Sequence, residues 1–190
     1  MESSDSSWIT MFVCTNCARP GAASTSSRRA RPSVPDFGLP GRVDQIVIPC
    51  AGRIQPEHVL KALEAGSDVV AVVACEEGNC HYSEGSRRCA LRVEHIGSLI
   101  EEIGLGEGRL VLAHLPGTAV EDMLLTAEPG SKIEPPDAAA LDQKVGAVRD
   151  QVLEALRIVP ANPLAAAQKP AAQKPAGKKV AKAKEEGGRR

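Results

Sequence analysis

The residues from Val69 to Cys75 form an unbroken apolar run, and this run constrains the fold more than any other part of the sequence. A strand without a polar face is buried on both sides, as the central strand of a parallel sheet is. Aromatic residues make up only 2% of the chain, so Val, Ile, Leu and Ala must build the core. That composition favours a parallel sheet covered by helices over a sandwich or a small barrel.

Apolar periodicity predicts one α/β domain around this strand, over residues 8–159. Strands are predicted at 8–13, 45–48, 68–74 and 109–113, which gives a small, mostly parallel sheet of about four strands. Helices are predicted at 58–65 (with Pro56 at the start), 86–103 and 137–158. Segment 14–41 is a predicted loop, and 115–136 is left unassigned except for a candidate short helix near 120–125. This alternation is typical of an α/β fold.

The two ends of the sequence differ from the domain in composition. Residues 1–7 are polar, and residues 160–190 are rich in Ala, Lys and Pro, so both segments are predicted to be disordered. The formal net charge is −1, yet the sequence from Ala161 onward has eight basic and two acidic residues. Such a tail specifies no nucleic-acid sequence, and we expect no nucleic-acid partner. A solvated extension and a docking arm for an acidic protein both fit it.

The chain has no feature typical of secretion or membrane insertion. Its start is polar and acidic, and its longest apolar run is far shorter than a bilayer span. We therefore expect a soluble, cytoplasmic protein without a membrane partner. Cysteines stay reduced in that compartment, so a cysteine-rich pattern there indicates metal or redox chemistry more than disulfides.

Five of the six cysteines follow predicted strands: Cys14 and Cys17 the first, Cys50 the second, Cys75 and Cys80 the third. Loops that follow parallel strands converge at one edge of the sheet, where ligands bind. We therefore predict that these five side chains are metal ligands of one iron–sulfur cluster. A 2Fe–2S cluster takes about four thiolates, so the sequence leaves open which cysteine is spare.

Two other interpretations of the cysteines stay open. Zinc accepts the same thiolates and would make the chain a zinc-stabilised interaction module, although Cys50 does not belong to a close pair. Alternatively, Cys14 and Cys17 are the dithiol of an oxidoreductase. The sixth cysteine, Cys89, shares the apolar face of a predicted helix, and we interpret it as a small buried hydrophobe.

Several polar residues lie near these cysteines in the sequence. Arg53 follows Cys50 by three residues, and its guanidinium would favour a reduced cluster; the alternative is a surface side chain. His81 is predicted to ligate iron or to hydrogen-bond beside the cluster. A basic stripe at the start of a predicted helix is interpreted as a solvated face, with partner docking as the alternative; it comprises Arg87, Arg88 and Arg92. The sequence contains no Ser/His/Asp triad, P-loop or Gly-x-Gly-x-x-Gly motif, so we assign no catalytic residue.

Four motifs together resemble a known family. They are Phe-Val-Cys-Thr-Asn-Cys at 12–17, Cys-Ala-Gly-Arg at 50–53, Leu-Lys-Ala-Leu-Glu-Ala-Gly-Ser-Asp at 60–68 and Cys-Glu-Glu-Gly-Asn-Cys-His-Tyr-Ser-Glu-Gly at 75–85, followed by Arg-Val-Glu at 92–94. In this combination the chain resembles the delta subunit family of methyl-viologen-reducing hydrogenase, iron–sulfur proteins that accompany heterodisulfide reductase. Glu76 stands where the family usually has His, residues 18–42 differ from the usual segment, and the basic tail is an addition.

The resemblance implies a small, non-catalytic 2Fe–2S electron carrier within an oxidoreductase complex. Its donor would be a hydrogenase or formate dehydrogenase subunit. Its acceptor would be the flavin subunit of a heterodisulfide-reductase-like complex.

Overall fold

The computed structural model describes residues 7–17, 34–78, 80–117 and 138–165. Its elements, in chain order, are β1 (Trp8–Cys14), β2 (Arg42–Ile48), a 3-10 helix (Ala51–Arg53), α1 (Pro56–Glu64), β3 (Val69–Cys75), α2 (Gly85–Glu102), β4 (Leu110–Leu115) and α3 (Ala138–Ile158). The predicted helix near 120–125 and most of both predicted terminal tails lie outside these residues. None of the helices described is long and apolar enough to cross a bilayer.

The four strands form one parallel sheet in the order β2-β1-β3-β4. The register sets Cys14 of β1 beside Ile48 of β2, and Cys75 of β3 beside Leu115 of β4. All four strands therefore end at the same edge of the sheet. The predicted α/β class is confirmed, and the sheet is parallel throughout.

The core lies around β3, which is buried along its whole length as predicted. Helix α2 buries Cys89, Val93, Ile96 and Ile100. The helix was predicted to continue to Ile103, with Ile103 on the same apolar face, and this was wrong: the helix ends at Glu102, and Ile103 is 59% exposed. Helix α3 packs on β4 and β3, and its residues Leu141, Val148 and Val152 are buried in the core.

Strand β2 begins three residues before its predicted start, because polar side chains extend the edge of the sheet. The Trp8 indole donates to Asp44 at 2.9 Å, and Asp44 pairs with Arg42 at 2.8 Å. The Arg42 guanidinium in turn lies 3.7 Å from the centre of the Trp8 ring. An edge strand has a solvated side, so these residues can pair without being apolar.

Two buried polar side chains connect the C-terminal end of α3 to the end of the sheet where the strands begin. Arg109 is 1% exposed and donates to the carbonyls of Asp68 at 3.0 Å and Pro160 at 2.8 Å. Asn162 is 3% exposed and donates to the carbonyls of Leu63 and Ser67, each at 2.7 Å. These contacts hold the end of the sheet that lies away from the cysteines.

Candidate metal centre

Three cysteine sulfurs come together where β1 and β3 end. These strands are neighbours, and the Cys14 and Cys75 sulfurs at their ends lie 3.9 Å apart. A turn closed by the Cys17 N–H and the Cys14 carbonyl (3.0 Å) brings Cys17 back to them. The three Sγ atoms all lie within 4.8 Å of one another, with Cys17 and Cys75 3.1 Å apart. Each residue is at most 3% exposed. Three soft ligand atoms at this spacing can bind one metal ion.

The three sulfurs affect one another's pKa values through hydrogen bonds. The Cys17 thiol donates to the Cys75 sulfur at 3.1 Å, and the Cys75 thiol donates to the Cys14 sulfur at 3.9 Å. Hydrogen bonding with these two neighbours lowers the pKa of Cys14 to about 2. The same hydrogen bonds, together with burial, raise the pKa of Cys17 above its usual range. Without a metal the trio therefore favours one thiolate stabilised by two thiols. A bound cation would take the place of those protons.

The sulfurs of Cys50 and Cys80 come together at the start of α2. A methyl group at Gly85 would lie 2.8 Å from the Sγ atom of each, so both sulfurs touch the bare Cα of this glycine. Cys50 lies between β2 and the 3-10 helix, and its carbonyl accepts from the Arg53 N–H at 3.0 Å. Cys80 lies in a turn in which its carbonyl accepts from the Ser83 N–H at 2.9 Å. The absence of a side chain at Gly85 is what allows this convergence.

The pair and the trio lie next to each other. The Cys14 thiol approaches the Pro49 carbonyl at 3.7 Å, and the Thr15 hydroxyl donates to the same oxygen at 3.1 Å. Pro49 directly precedes Cys50, so these contacts attach the second cysteine loop to the first. Burial raises the pKa of Cys50, and the charges of the Cys14 and Cys80 sulfurs raise it further. All five predicted ligands thus lie at one edge of the sheet, in two adjoining groups.

Three side chains that were not predicted to act here hold the backbone of the site. The Cys75 carbonyl accepts from the Ser86 hydroxyl, and His114 Nδ1 lies 3.0 Å from the same oxygen. Arg92 is half-buried and donates to the carbonyls of Gly52 and Ile54. Its interpretation as part of a solvated stripe was wrong, because its partners come from a distant loop that the sequence does not place beside it.

The other predicted site residues lie at the surface around this edge. Arg53 is exposed and lines a cavity of about 390 Å³ together with Cys50, Gly85 and Arg88. His81 is exposed, and its ring packs edge-to-face on Tyr82 with 4.9 Å between the ring centroids.

Cys89 is fully buried in the core, as its place on the apolar face of the helix predicted. Burial raises the pKa of Cys89 to about 12, and the nearby Cys50 sulfur adds to the effect. It therefore stays a neutral thiol at neutral pH.

The sequence matches one known family over most of its length. Residues 9–128 match the family described as methyl-viologen-reducing hydrogenase, delta subunit. The iron-sulfur subunit of the F420-non-reducing hydrogenase of Archaeoglobus profundus is 31% identical over 110 residues, which are 58% of this chain and 75% of that protein. The corresponding vhu iron-sulfur subunit of Methanopyrus kandleri is 31% identical over 107 residues, 56% of this chain and 76% of that protein.

A larger protein also contains a similar segment. One subunit of the ferredoxin/F420H2-dependent CoB-CoM heterodisulfide reductase of Methanosarcina acetivorans is 34% identical over 103 residues. These residues are 54% of this chain but only 12% of that protein.

Proposed function

This chain belongs to the methyl-viologen-reducing hydrogenase delta subunit family, and from that premise we propose that it is an electron-transfer subunit holding one 2Fe–2S cluster. The observation that carries the proposal is the convergence of five buried cysteines at one edge of a parallel sheet, with three sulfurs within 4.8 Å of one another. Thiolates are the protein ligands that hold such clusters, and a bound cluster would supply one-electron redox chemistry.

The donor set fits this cofactor. The ligand atoms are all sulfur, and hydrogen bonding with the neighbouring thiols lowers the pKa of Cys14, which favours the thiolate that binds metal. Zinc would accept the same thiolates. The names of the relatives favour iron, since those proteins are called iron-sulfur subunits.

The partners follow from the same relatives. We propose that the chain works in the cytoplasm and receives electrons from a hydrogenase or formate dehydrogenase subunit. It would pass them to the flavin subunit of a heterodisulfide-reductase-like complex. The similar segment within the heterodisulfide reductase of Methanosarcina acetivorans supports an acceptor of this kind. The protein itself would move electrons and catalyse no bond chemistry.

The proposal is tested by purifying the chain without oxygen and measuring iron, zinc and sulfide. We expect about two irons and two sulfides per chain, and an EPR signal after reduction with dithionite. Zinc without sulfide would instead support the zinc-stabilised module. A metal-free protein whose disulfide reductase activity disappears in the Cys17→Ala variant would support the dithiol oxidoreductase.

Single Cys→Ser variants identify the ligands. Since about four thiolates hold a 2Fe–2S cluster, we expect four of the five variants to lose most of the iron and one to keep it. Cys89→Ser serves as the matched control. Full cluster spectra in both Cys50→Ser and Cys80→Ser would contradict the five-cysteine site, because at most one of its members is spare.

A further inference from the structure

The five thiols are not equally shielded from solvent. Cys14, Cys17 and Cys75 are 2%, 3% and 2% exposed, whereas Cys50 and Cys80 are 6% and 8% exposed. The cavity of about 390 Å³ leads from the surface to Cys50 and to Gly85, the residue that both of the latter sulfurs touch. Solvent therefore comes closest to the candidate centre at Cys50 and Cys80, and the cavity opens on the Cys50 side. We call the surface around this opening, formed by Arg53, Tyr82 and Arg88, the mouth.

The mouth carries positive charge that no described residue neutralises. Arg53 and Arg88 both line the cavity, and neither forms an ion pair within the part of the chain that the structure describes. The carboxylate that also lines the cavity, Glu84, is already paired with Arg87 at 3.1 Å.

Other arginines in the described part of the chain have partners. Some pair with carboxylates, and Arg92 and Arg109 donate to backbone carbonyls. The two arginines without such a partner therefore both lie at the opening to Cys50. Beside them Tyr82 is 53% exposed, and Arg and Tyr are residues enriched in protein interfaces.

We propose that the mouth is the docking surface for the protein that exchanges electrons with this chain, and that the partner presents carboxylates to Arg53 and Arg88. The inference rests on the proposed function, since it needs a redox centre behind Cys50. Opposite charges steer encounter and fix orientation, and here they would bring an acidic partner onto the least shielded side of the site. One electron leaves the reduced chain and one enters the partner; no bond forms or breaks.

Two one-electron oxidants of opposite charge test the mouth: plastocyanin, an acidic copper protein, and cytochrome c, a basic haem protein. Each accepts one electron from the dithionite-reduced chain. A change in the reduction potential of the chain shifts both rates in the same direction, whereas a change in surface charge shifts them in opposite directions. The charge of the mouth is therefore measured separately from the potential of the centre.

The variant is the double charge reversal Arg53→Glu/Arg88→Glu, with Arg53→Gln/Arg88→Gln as a neutral second variant. The control is Arg157→Glu, an exposed position that lines a cavity together with Trp8 and Asp68 at the opposite end of the sheet, where the strands begin. At low salt we expect the charge reversal to slow oxidation by plastocyanin about tenfold or more and to speed oxidation by cytochrome c. Arg157→Glu should change neither rate, and added salt should remove the effect.

Equilibrium binding gives a readout that does not depend on electron transfer. The chain should bind cadmium-substituted plastocyanin more tightly than zinc-substituted cytochrome c, and the charge reversal should invert this order. Rates that move together, or an equal effect of Arg157→Glu, would overturn the docking surface. If the wild-type chain holds no cluster, the proposed function fails, while the binding experiment still decides whether the mouth recognises an acidic protein.

Discussion

A single missing side chain, at Gly85, decides whether two of the candidate ligands can meet. A methyl group there would lie 2.8 Å from the sulfurs of Cys50 and Cys80, well inside van der Waals contact. We therefore expect Gly85→Ala to displace one or both sulfurs and to lower the iron content of the purified protein by at least half. Iron and sulfide analysis with the EPR spectrum checks this.

A second glycine of α2 provides the matched control for this substitution. A methyl group at Gly97 would meet no atom within 4 Å, so Gly97→Ala should leave the iron content unchanged. It should also stabilise the fold by about 0.5–1 kcal/mol, because alanine favours the helix. An equal loss of iron in both variants would mean that the helix tolerates no change, and the contact at Gly85 would not be the cause.

Burial and position distinguish the role of Cys89 most clearly from the roles of the other cysteines. It is fully buried on the core face of α2. We expect Cys89→Ala to keep the full cluster content and to reduce the free energy of unfolding by about 1 kcal/mol, as small core truncations do. Urea denaturation and iron analysis of the same preparation measure both quantities. A folded Cys89→Ala protein without iron would make Cys89 a ligand.

At the scale of elements, helix α2 and the turn after Cys50 are joined by Arg92. Its guanidinium donates to the carbonyls of Gly52 and Ile54, so it fixes the segment that carries Cys50. Hydrogen bonds from a charged donor contribute about 1.5–3 kcal/mol. We expect Arg92→Met to lower the free energy of unfolding by about this amount and to speed the loss of iron to a chelator.

Arg87→Met is the matched control, since Arg87 is an exposed residue of the same helix paired with Glu84. Exposed ion pairs contribute only about 0–1 kcal/mol. If the rate of iron loss to the chelator rises equally in both variants, the hydrogen bonds of Arg92 do not specifically stabilise the Cys50 loop.

The elements themselves could be predicted because their patterns are local. The apolar run ending at Cys75 specified a buried parallel strand, and the strand-end positions of the cysteines specified one edge of the sheet. The contacts that complete the site could not be predicted in the same way. Ser86 at a helix start usually caps its own helix, yet it donates to the Cys75 carbonyl, and Arg92 finds its partners forty residues away. Such pairings depend on distances between elements that no local pattern contains.

At the scale of the whole molecule, the parallel sheet separates the site from the residues that hold the fold. The cysteines lie where the strands end, whereas Arg109 and Asn162 lie where they begin and connect the end of α3 to the sheet. A buried arginine and a buried asparagine were not expected from the sequence, because both residue types are mostly exposed. Their partners are backbone carbonyls. Every residue has one, so no sequence pattern identifies which carbonyl is the acceptor.

This separation predicts a variant that affects stability but not the site. Asn162 donates to the carbonyls of Leu63 and Ser67 at 2.7 Å, and its own oxygen accepts from the Leu164 N–H at 2.9 Å. Asn162→Ala leaves these groups without their partner, and each unsatisfied buried group costs about 1–3 kcal/mol. We expect the free energy of unfolding to fall by about 2–4 kcal/mol, measured by urea denaturation, with the iron content per folded chain unchanged. Gln143→Ala, an exposed amide on α3, should change neither quantity. A loss of iron from folded Asn162→Ala protein would contradict this, because it would show that the two edges of the sheet are energetically coupled.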